Sequence, residues 1–397
     1  MTDHPILGQV VLGYSPMIDR GRAVTATRLT VFPAKPDLQV DAAQLLEALG
    51  QVWPASGGQV SLNIVSETLL HDLMAAKPAT NLMVEVPAFM ASDPAHTEAL
   101  AKLHAHGNTL LIKGRPLREL PRELLPCFRY SIIDLSEERR GEAPPAAGIS
   151  RNIAHVQQGV RTMVEMEQAF QRGAVAVLGW PVDDAIELSN ARSTSRPDMQ
   201  TIVELIRRVD KEEPADRLEA ILRNDPTLAF KLMRYINSPA FGLRVEISSF
   251  RHALMLLGYQ RLKRWLALLL ASASKDTNMK PVMFAAVRRG LLMEELGRPL
   301  GDEEMRNEMF ICGVFSLLDK MMRAPFAELL KTIPVPDRVY QTLVDGTGPY
   351  QPYFNIVLAV EQESLFDIRA AADALMMSVT EINQAELRAL AAAAQLD

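Results

Sequence analysis

Eight short runs rich in β-branched and apolar residues, at 9–13, 24–32, 60–65, 82–86, 109–112, 130–135, 153–157 and 175–180, recur through the first 180 residues. Stretches of helical periodicity lie between them, at 45–49, 67–74, 97–106, 117–125 and 163–171. Strands separated by helical crossovers predict a parallel sheet with helices on its outside. Eight strands fit a closed (β/α) barrel, with a doubly wound open sheet as the alternative. The segment 136–150, SEERRGEAPPAAGIS, holds two glycines and a double proline, so a crossover there is short or eroded.

Beyond about residue 198 the strand signal stops. Ile202, Leu205, Ile206 and Val209 recur at helical spacing, as do Leu218, Ile221 and Leu222. Asp225-Pro226 opens a helix with a cap and a first-turn proline, and Asn237-Ser238-Pro239 ends it. Ser249 caps a helix that Gly258 closes. Helical patterns continue at 261–272, 283–296, 306–323, 325–332, 337–343, 355–362, 367–376 and 381–394. The expected fold class is therefore α/β followed by all-α. The expected division is a barrel over 1–182, a connecting helix and linker over 183–197, and a helical domain over 198–397.

Composition narrows the functions open to such a chain. Its 42 Lys+Arg against 48 Asp+Glu give a net charge of -6, which speaks against binding duplex nucleic acid through bulk charge. Cys127 and Cys312 are the two cysteines, too few for a disulfide framework or a cysteine-rich zinc site. The longest apolar run, 265–271, is far below the roughly 20 residues a membrane helix needs. Met1–Pro5 leads into no basic or long apolar region, so the expectation is a soluble cytoplasmic protein without membrane insertion.

Short motifs carry a family resemblance. Ser15-Pro16-Met17-Ile18-Asp19-Arg20, the strand around Asn63, Leu82-Met83-Val84-Glu85-Val86, Gln157-Gln158-Gly159-Val160-Arg161-Thr162 and Leu178-Gly179-Trp180 fall in the order seen in EAL domains, over about residues 8–182. Asn237-Ser238-Pro239-Ala240-Phe241-Gly242-Leu243 resembles the NSAYFG-type signature of HDOD domains. Ile247-Ser248-Ser249, 252–258 and 261–272 follow at that family's spacing, and 310–319 looks like the version found after an EAL barrel. The chain thus resembles EAL–HDOD two-domain bacterial signalling proteins. The resemblance implies a barrel related to cyclic di-GMP phosphodiesterases and a helical domain that docks other proteins.

The chemistry of that family is largely missing. Such a phosphodiesterase uses two divalent metals about 3.5–4 Å apart, held by converging oxygen ligands. Where the family has the glutamate of its EAL tripeptide, this chain has Arg28, with Thr27 as the next-best register, and its paired aspartates fall at Lys113-Gly114. Its catalytic lysine falls at Ile132, and the two glutamates of AEGVET are Gln158 and Arg161. Asn63, Glu85 and Asp134 remain. Cations at carboxylate positions repel metal ions, so the expectation is no metal, no cofactor and no catalytic residue in the barrel. Arg28, Lys113, Arg115 and Arg161 could instead line a basic mouth for an intact dinucleotide. The plainer reading is that they are solvated rim groups or pair with Glu85 and Asp134.

The helical half also lacks a catalytic set. At the place of an HD-type His-Asp pair stands Ser316-Leu317, and His252 is the lone histidine after residue 198. His104 and His106 are two apart at a helix end, a spacing that points them in different directions. Asp183-Asp184 reads as a cap for a following helix, and Asp302-Glu303-Glu304 as helix-start charge. Arg261-Leu262-Lys263-Arg264-Trp265 reads as a snorkelling helix face rather than a nucleic-acid contact. The methionines of 305–322 and Met376-Met377 read as gap-filling core, with an adaptable partner groove as the alternative.

The expected function is a non-catalytic signalling or scaffold protein acting through contacts of its HDOD domain with other signalling proteins. The alternative is a receptor that binds cyclic di-GMP without cleaving it. No nucleic-acid partner is expected, and a homodimer is left open.

Overall fold

The computed structural model describes residues 4–53, 58–116, 118–137, 153–184, 197–223, 250–272 and 276–393. The chain forms two compact units, Met1–Asp184 with Leu358–Gln384, and Ala185–Val357 with Ala385–Asp397. The second domain is therefore not the continuous 198–397 read from the sequence: Leu358–Gln384 packs with the barrel. The expected connecting helix lies outside the described residues beyond Asp184, as does the whole of Asn237-Ser238-Pro239-Ala240-Phe241-Gly242-Leu243.

In the first unit β1 (Val10–Asp19), β2 (Val24–Pro33), β3 (Gln59–Ile64), β4 (Leu82–Pro87), β5 (Leu110–Lys113), β6 (Phe128–Asp134), β7 (Ala154–Val160) and β8 (Ala176–Gly179) close a barrel in chain order. Neighbours from β2 to β8 are parallel, but β1 is antiparallel to both β2 and β8. An all-parallel sheet is thus corrected. Residues 20–23 alone join β1 to β2, with Arg22 at φ 64, and four residues cannot make a crossover.

Helices α1 (Ala42–Val52), α2 (Glu67–Ala75), α3 (Ala88–Ala91), α4 (Thr97–Ala105) and α5 (Met163–Gln171) follow strands on the outside. Their starts are set by side chains: Asp41 accepts from Ala43 and Gln44, Ser66 from Leu69, and Thr162 with Glu165 forms a reciprocal capping box. The helix expected at 117–125 is instead a 3-10 turn, Arg122–Cys127, flanked by Pro121 and interrupted by Pro126. Each proline removes a donor and blocks the α-ladder. Gly179 sits at φ 138 against the bulge of β7, where a Cβ would meet the Val160 carbonyl oxygen at 2.1 Å, so no other residue lets β8 close there.

Alternation along the strands divides the barrel interior into two layers. Met17, Ala26, Met83, Leu111, Ile132, Val156, Ala176 and Leu178 form an apolar floor. Two residues nearer the mouth on the same face stand Ser15, Arg28, Ser61, Glu85 and Lys113, the start of a polar layer. Outside, Ile18, Val160, Met166, Ala169, Phe170, Ala174 and Val177 bury α5 against the sheet.

In the second unit Ile202, Leu205, Ile206, Val209 and Leu218 are buried, as the helical spacing requires. The helix Phe250–Ser272 breaks at Gly258, whose φ 71 and ψ 171 are non-helical. Helices Lys280–Leu296 and Glu303–Phe315 cross at Gly290 and Gly313; a Cβ on Gly313 would lie 2.4 Å from the Arg289 carbonyl oxygen. The continuous helix expected over 306–323 breaks at Ser316 and resumes as Leu318–Met322. Ser316 accepts from Arg289 Nη1 and donates to the Gly313 carbonyl, a structural use of the position.

Candidate functional site at the barrel mouth

The strands project six polar side chains, Arg28, Thr30, Ser61, Asn63, Glu85 and Lys113, toward the carboxyl ends of β2 to β5, the end where barrels of this type place their chemistry. Arg28 on β2 donates from Nε and Nη2 to the two carboxylate oxygens of Glu85 on β4, each at 2.8 Å. Their side chains are 1% and 0% exposed. Ser61 on β3 donates a further hydrogen bond, 2.9 Å, to Glu85 Oε1. Lys113 on β5 donates to Asn63 Oδ1 at 2.7 Å, and Asn63 Nδ2 donates to the Thr30 hydroxyl at 3.0 Å.

The network closes on a residue far along the chain. Glu363, within Leu358–Gln384 of the same unit, accepts from Arg28 Nη1 at 3.1 Å and from the hydroxyls of Thr30 at 2.5 Å and Ser15 at 3.5 Å. Gly13 makes room for it, since a Cβ there would stand 3.0 Å from Glu363 Cα. Two cations and two anions thus face one another across the mouth.

The same segment finishes β1. That strand meets β8 only over Met17–Asp19, which leaves the backbone groups of its first half to be satisfied otherwise. Trp180 Nε1 donates to the Tyr14 carbonyl at 3.3 Å, and the two rings pack edge to face, 5.3 Å apart. The Asn383 carboxamide accepts from Leu12 N–H at 3.1 Å and donates to the Leu7 and Val10 carbonyls, each at 2.7 Å.

Electrostatics follow from this geometry. Burial opposes ionisation of Glu85, but the charge and hydrogen bonds of Arg28, with Lys113 and Ser61, outweigh it and hold the carboxyl below its usual range. Burial likewise works against Arg28, and Glu85 with Glu363 turns the balance so that its pKa is raised. Lys113 is lowered, first by burial and then by Arg28, with Glu85 and Glu363 opposing.

Of the residues singled out in the sequence, Arg28, Asn63, Glu85 and Lys113 converge in this network. Asp134 lies at the end of β6, where its Oδ1 accepts from the Ser136 backbone and hydroxyl. Arg115 is half-buried on the loop beyond β5. Arg161 is a partly exposed rim group, as one of the two expected readings has it, and its Nε donates to Asp183 at 2.8 Å. Asp184 accepts from Met163 N–H at 2.7 Å at the start of α5; the helix the acidic pair was expected to cap lies outside the described residues. Ser15, Thr30, Ser61 and Glu363 were missed.

The mouth does not fit a pair of divalent cations. Both Glu85 oxygens face Arg28, the Asn63 oxygen faces Lys113, and two fixed cationic groups stand in the layer that metals would need. Among the described residues, no group of three or more His, Cys, Asp or Glu is placed to hold a metal ion. Elsewhere the basic run 261–265 is internally matched: Arg261 pairs with Glu303, Lys263 with Asp210 and Arg264 with Glu294, while Leu262 and Trp265 are buried. Met309 and Met321 are core residues, whereas Met376 is 94% exposed. Among the described residues no helix is long and apolar enough to cross a membrane.

Residues 197–329 match the family model of the HDOD domain. The chain thus joins a closed eight-stranded barrel to a helical stretch that matches the HDOD domain. Its relatives include the cyclic di-GMP phosphodiesterase CdgJ of Vibrio cholerae, 25% identical over 297 residues, covering 72% of this chain and 67% of that one. YuxH of Bacillus subtilis is 27% identical over 225 residues, 54% of this chain and 53% of the relative, so the chain spans about half of that protein's length. Among solved structures, a standalone EAL protein of Vibrio cholerae bound to c-di-GMP matches at 15% identity and TM-score 0.32, over 43% of this chain and 90% of that one. The FimX EAL domain of Pseudomonas aeruginosa, also bound to c-di-GMP, matches at 13% and 0.31, over 44% and 87%.

Proposed function

We propose that this protein is a signalling protein without phosphodiesterase turnover, whose HDOD domain acts through contacts with other proteins. One observation carries the reading: the acid and amide oxygens of the barrel mouth are spent on Arg28 and Lys113. A two-metal hydrolysis needs those oxygens to neutralise cations and to orient a water. A fixed guanidinium already neutralises Glu85, so nothing at that carboxylate is left to act as ligand or base. The helical unit offers Ser316 and Leu317 where a phosphohydrolase would carry a metal-binding pair, and Ser316 is committed to Arg289 and Gly313.

The test is incubation of the full chain with cyclic di-GMP and Mg²⁺ or Mn²⁺, with the linear dinucleotide measured by chromatography. No product above a protein-free control is expected. Metal-dependent turnover that Glu85→Ala abolishes overturns the proposal. Affinity purification of the intact chain supports the second half of the reading if partners are retained, and lost when the HDOD residues are deleted.

A second reading is favoured by Arg28 and Lys113, which put two cations in one mouth as a phosphodiester requires. In it the barrel binds the intact dinucleotide. Isothermal titration separates the two: micromolar binding weakened by charge reversal at Lys113 or Arg115 selects the receptor.

A further inference from the structure

We infer that Leu358–Gln384 is a gate on the barrel mouth, latched by Glu363 on Arg28, and that an anionic ligand reaches this mouth only by displacing the Glu363 carboxylate. The gate itself stands on geometry alone; the competition with a ligand rests on the receptor reading above.

Three observations carry it. First, the Glu363 carboxylate sits as a bound anion would, on a guanidinium nitrogen and two hydroxyls from β1 and β2, with Gly13 shaped to admit its backbone. Second, the segment is buried at its flanks, through Ala359, Val360 and Ile382, and held more lightly in its middle. Its helix Leu365–Ala374 buries only Ile368 and Ala372, while Phe366 and Met376 are 79% and 94% exposed. Glu363 and Met376 both adopt φ 53 where the helices Gln351–Glu361 and Leu365–Ala374 end, so the carboxylate is presented from a left-handed helix terminus. Lifting the middle of the segment breaks the Glu363 hydrogen bonds and exposes Ile368 and Ala372, a small apolar area for a helix of ten residues. Third, both ends of the segment continue directly into the helical unit, at Val357 and Ala385. Displacing it must move the chain at both junctions, so occupancy of the mouth is transmitted along the backbone to the unit that carries the HDOD domain.

The mouth without Glu363 holds Arg28 and Lys113 against Glu85 alone, a net positive site. That excess suits a phosphodiester or a carboxylate, and the chain's own glutamate now takes the place.

Hydrogen exchange on the full-length protein tests the gate. In Glu363→Gln, and independently in Gly13→Ala, amides of 364–378 should exchange at least about tenfold faster than in the wild type, with β4 to β6 unchanged. The tenfold corresponds to loss of about 1.4 kcal/mol of latch. Unchanged exchange in both variants overturns the gate, and accelerated exchange confined to it supports it. Should one variant loosen β4 to β6 as well, the other decides. Cyclic di-GMP is then titrated into wild type and Glu363→Gln. Binding at least about tenfold tighter to the variant supports competition, and equal affinity overturns it. Binding to neither overturns the receptor reading while the exchange result still decides the gate.

Discussion

At the scale of single residues, the mouth is governed by one buried ion pair. Removing one partner of such a pair leaves the other charged in low dielectric, a cost of roughly 3–5 kcal/mol, whereas replacing both with apolar groups is often neutral. Arg28→Met is therefore expected to destabilise the barrel by about 3–5 kcal/mol, and Arg28→Met with Glu85→Leu to recover more than half of that. Urea unfolding followed by tryptophan fluorescence in a Trp265→Phe background, where Trp53 and Trp180 report on the barrel unit, measures both. The same pair sets an acid limit. The folded carboxyl of Glu85 is held below its ordinary 4.5, so below that value the unfolded chain binds more protons than the folded one. The pair's contribution is then full above the ordinary value and is lost as pH falls through the depressed one. The barrel midpoint should drop as pH falls below the ordinary 4.5, and drop less in Glu85→Gln. Equal slopes in the two proteins would show that Glu85 is not the group concerned.

At the scale of elements, most of the barrel was legible because β-branched runs bounded by turn residues mark strands regardless of context. Six of the eight runs lie within a residue or two of their observed strands, while β7 extends three and β1 six residues past the expected end. Periodicity carries no strand direction, so the antiparallel sense of β1 could be read only from the four-residue turn that follows it. The polar layer was partly legible, since Arg28, Glu85 and Lys113 occupy inward positions on β2, β4 and β5. Glu363 was not: 335 residues separate it from Arg28 and no motif marks it. One signal could have raised the question, because two inward cations against one inward glutamate require another anion from somewhere. Asn383 is the same kind of long-range element, a carboxamide standing in for a strand beside β1. Asn383→Leu leaves three buried backbone groups without their partner, each a loss of about 1–3 kcal/mol. Exchange at the Leu12 amide should rise by at least about tenfold, a result that Asn383→Gln with its longer reach is not expected to rescue.

At the scale of the whole molecule, chain order and structural order part company. The barrel unit is encoded in two pieces, Met1–Asp184 and Leu358–Gln384, with the bulk of the helical unit translated between them. Loop-closure entropy grows only as the logarithm of the intervening length, so a late segment can complete an early barrel at modest cost. The consequence is a length dependence that a pair of self-contained domains would not show. A protein ending after residue 357 lacks Glu363 and Asn383; one ending after residue 384 keeps both. Both lack Ala385–Asp397, including Glu386, which forms a buried pair with Arg288, and the shorter form also loses the last turn of the helix Gln351–Glu361. Any difference in the barrel therefore belongs to the segment. Loss of the Arg28 and β1 latches amounts to about 4 kcal/mol on the scale of buried polar groups. For a unit of this size that lowers the thermal midpoint of the barrel by about 10 °C. Near-ultraviolet circular dichroism and the fluorescence of Trp53 and Trp180 should both show the 1–357 form melting first, and a peptide spanning 358–384 should restore part of the loss in trans. Equal midpoints for the two forms would mean that the barrel is complete by residue 184 and that the late segment rests on it without consequence.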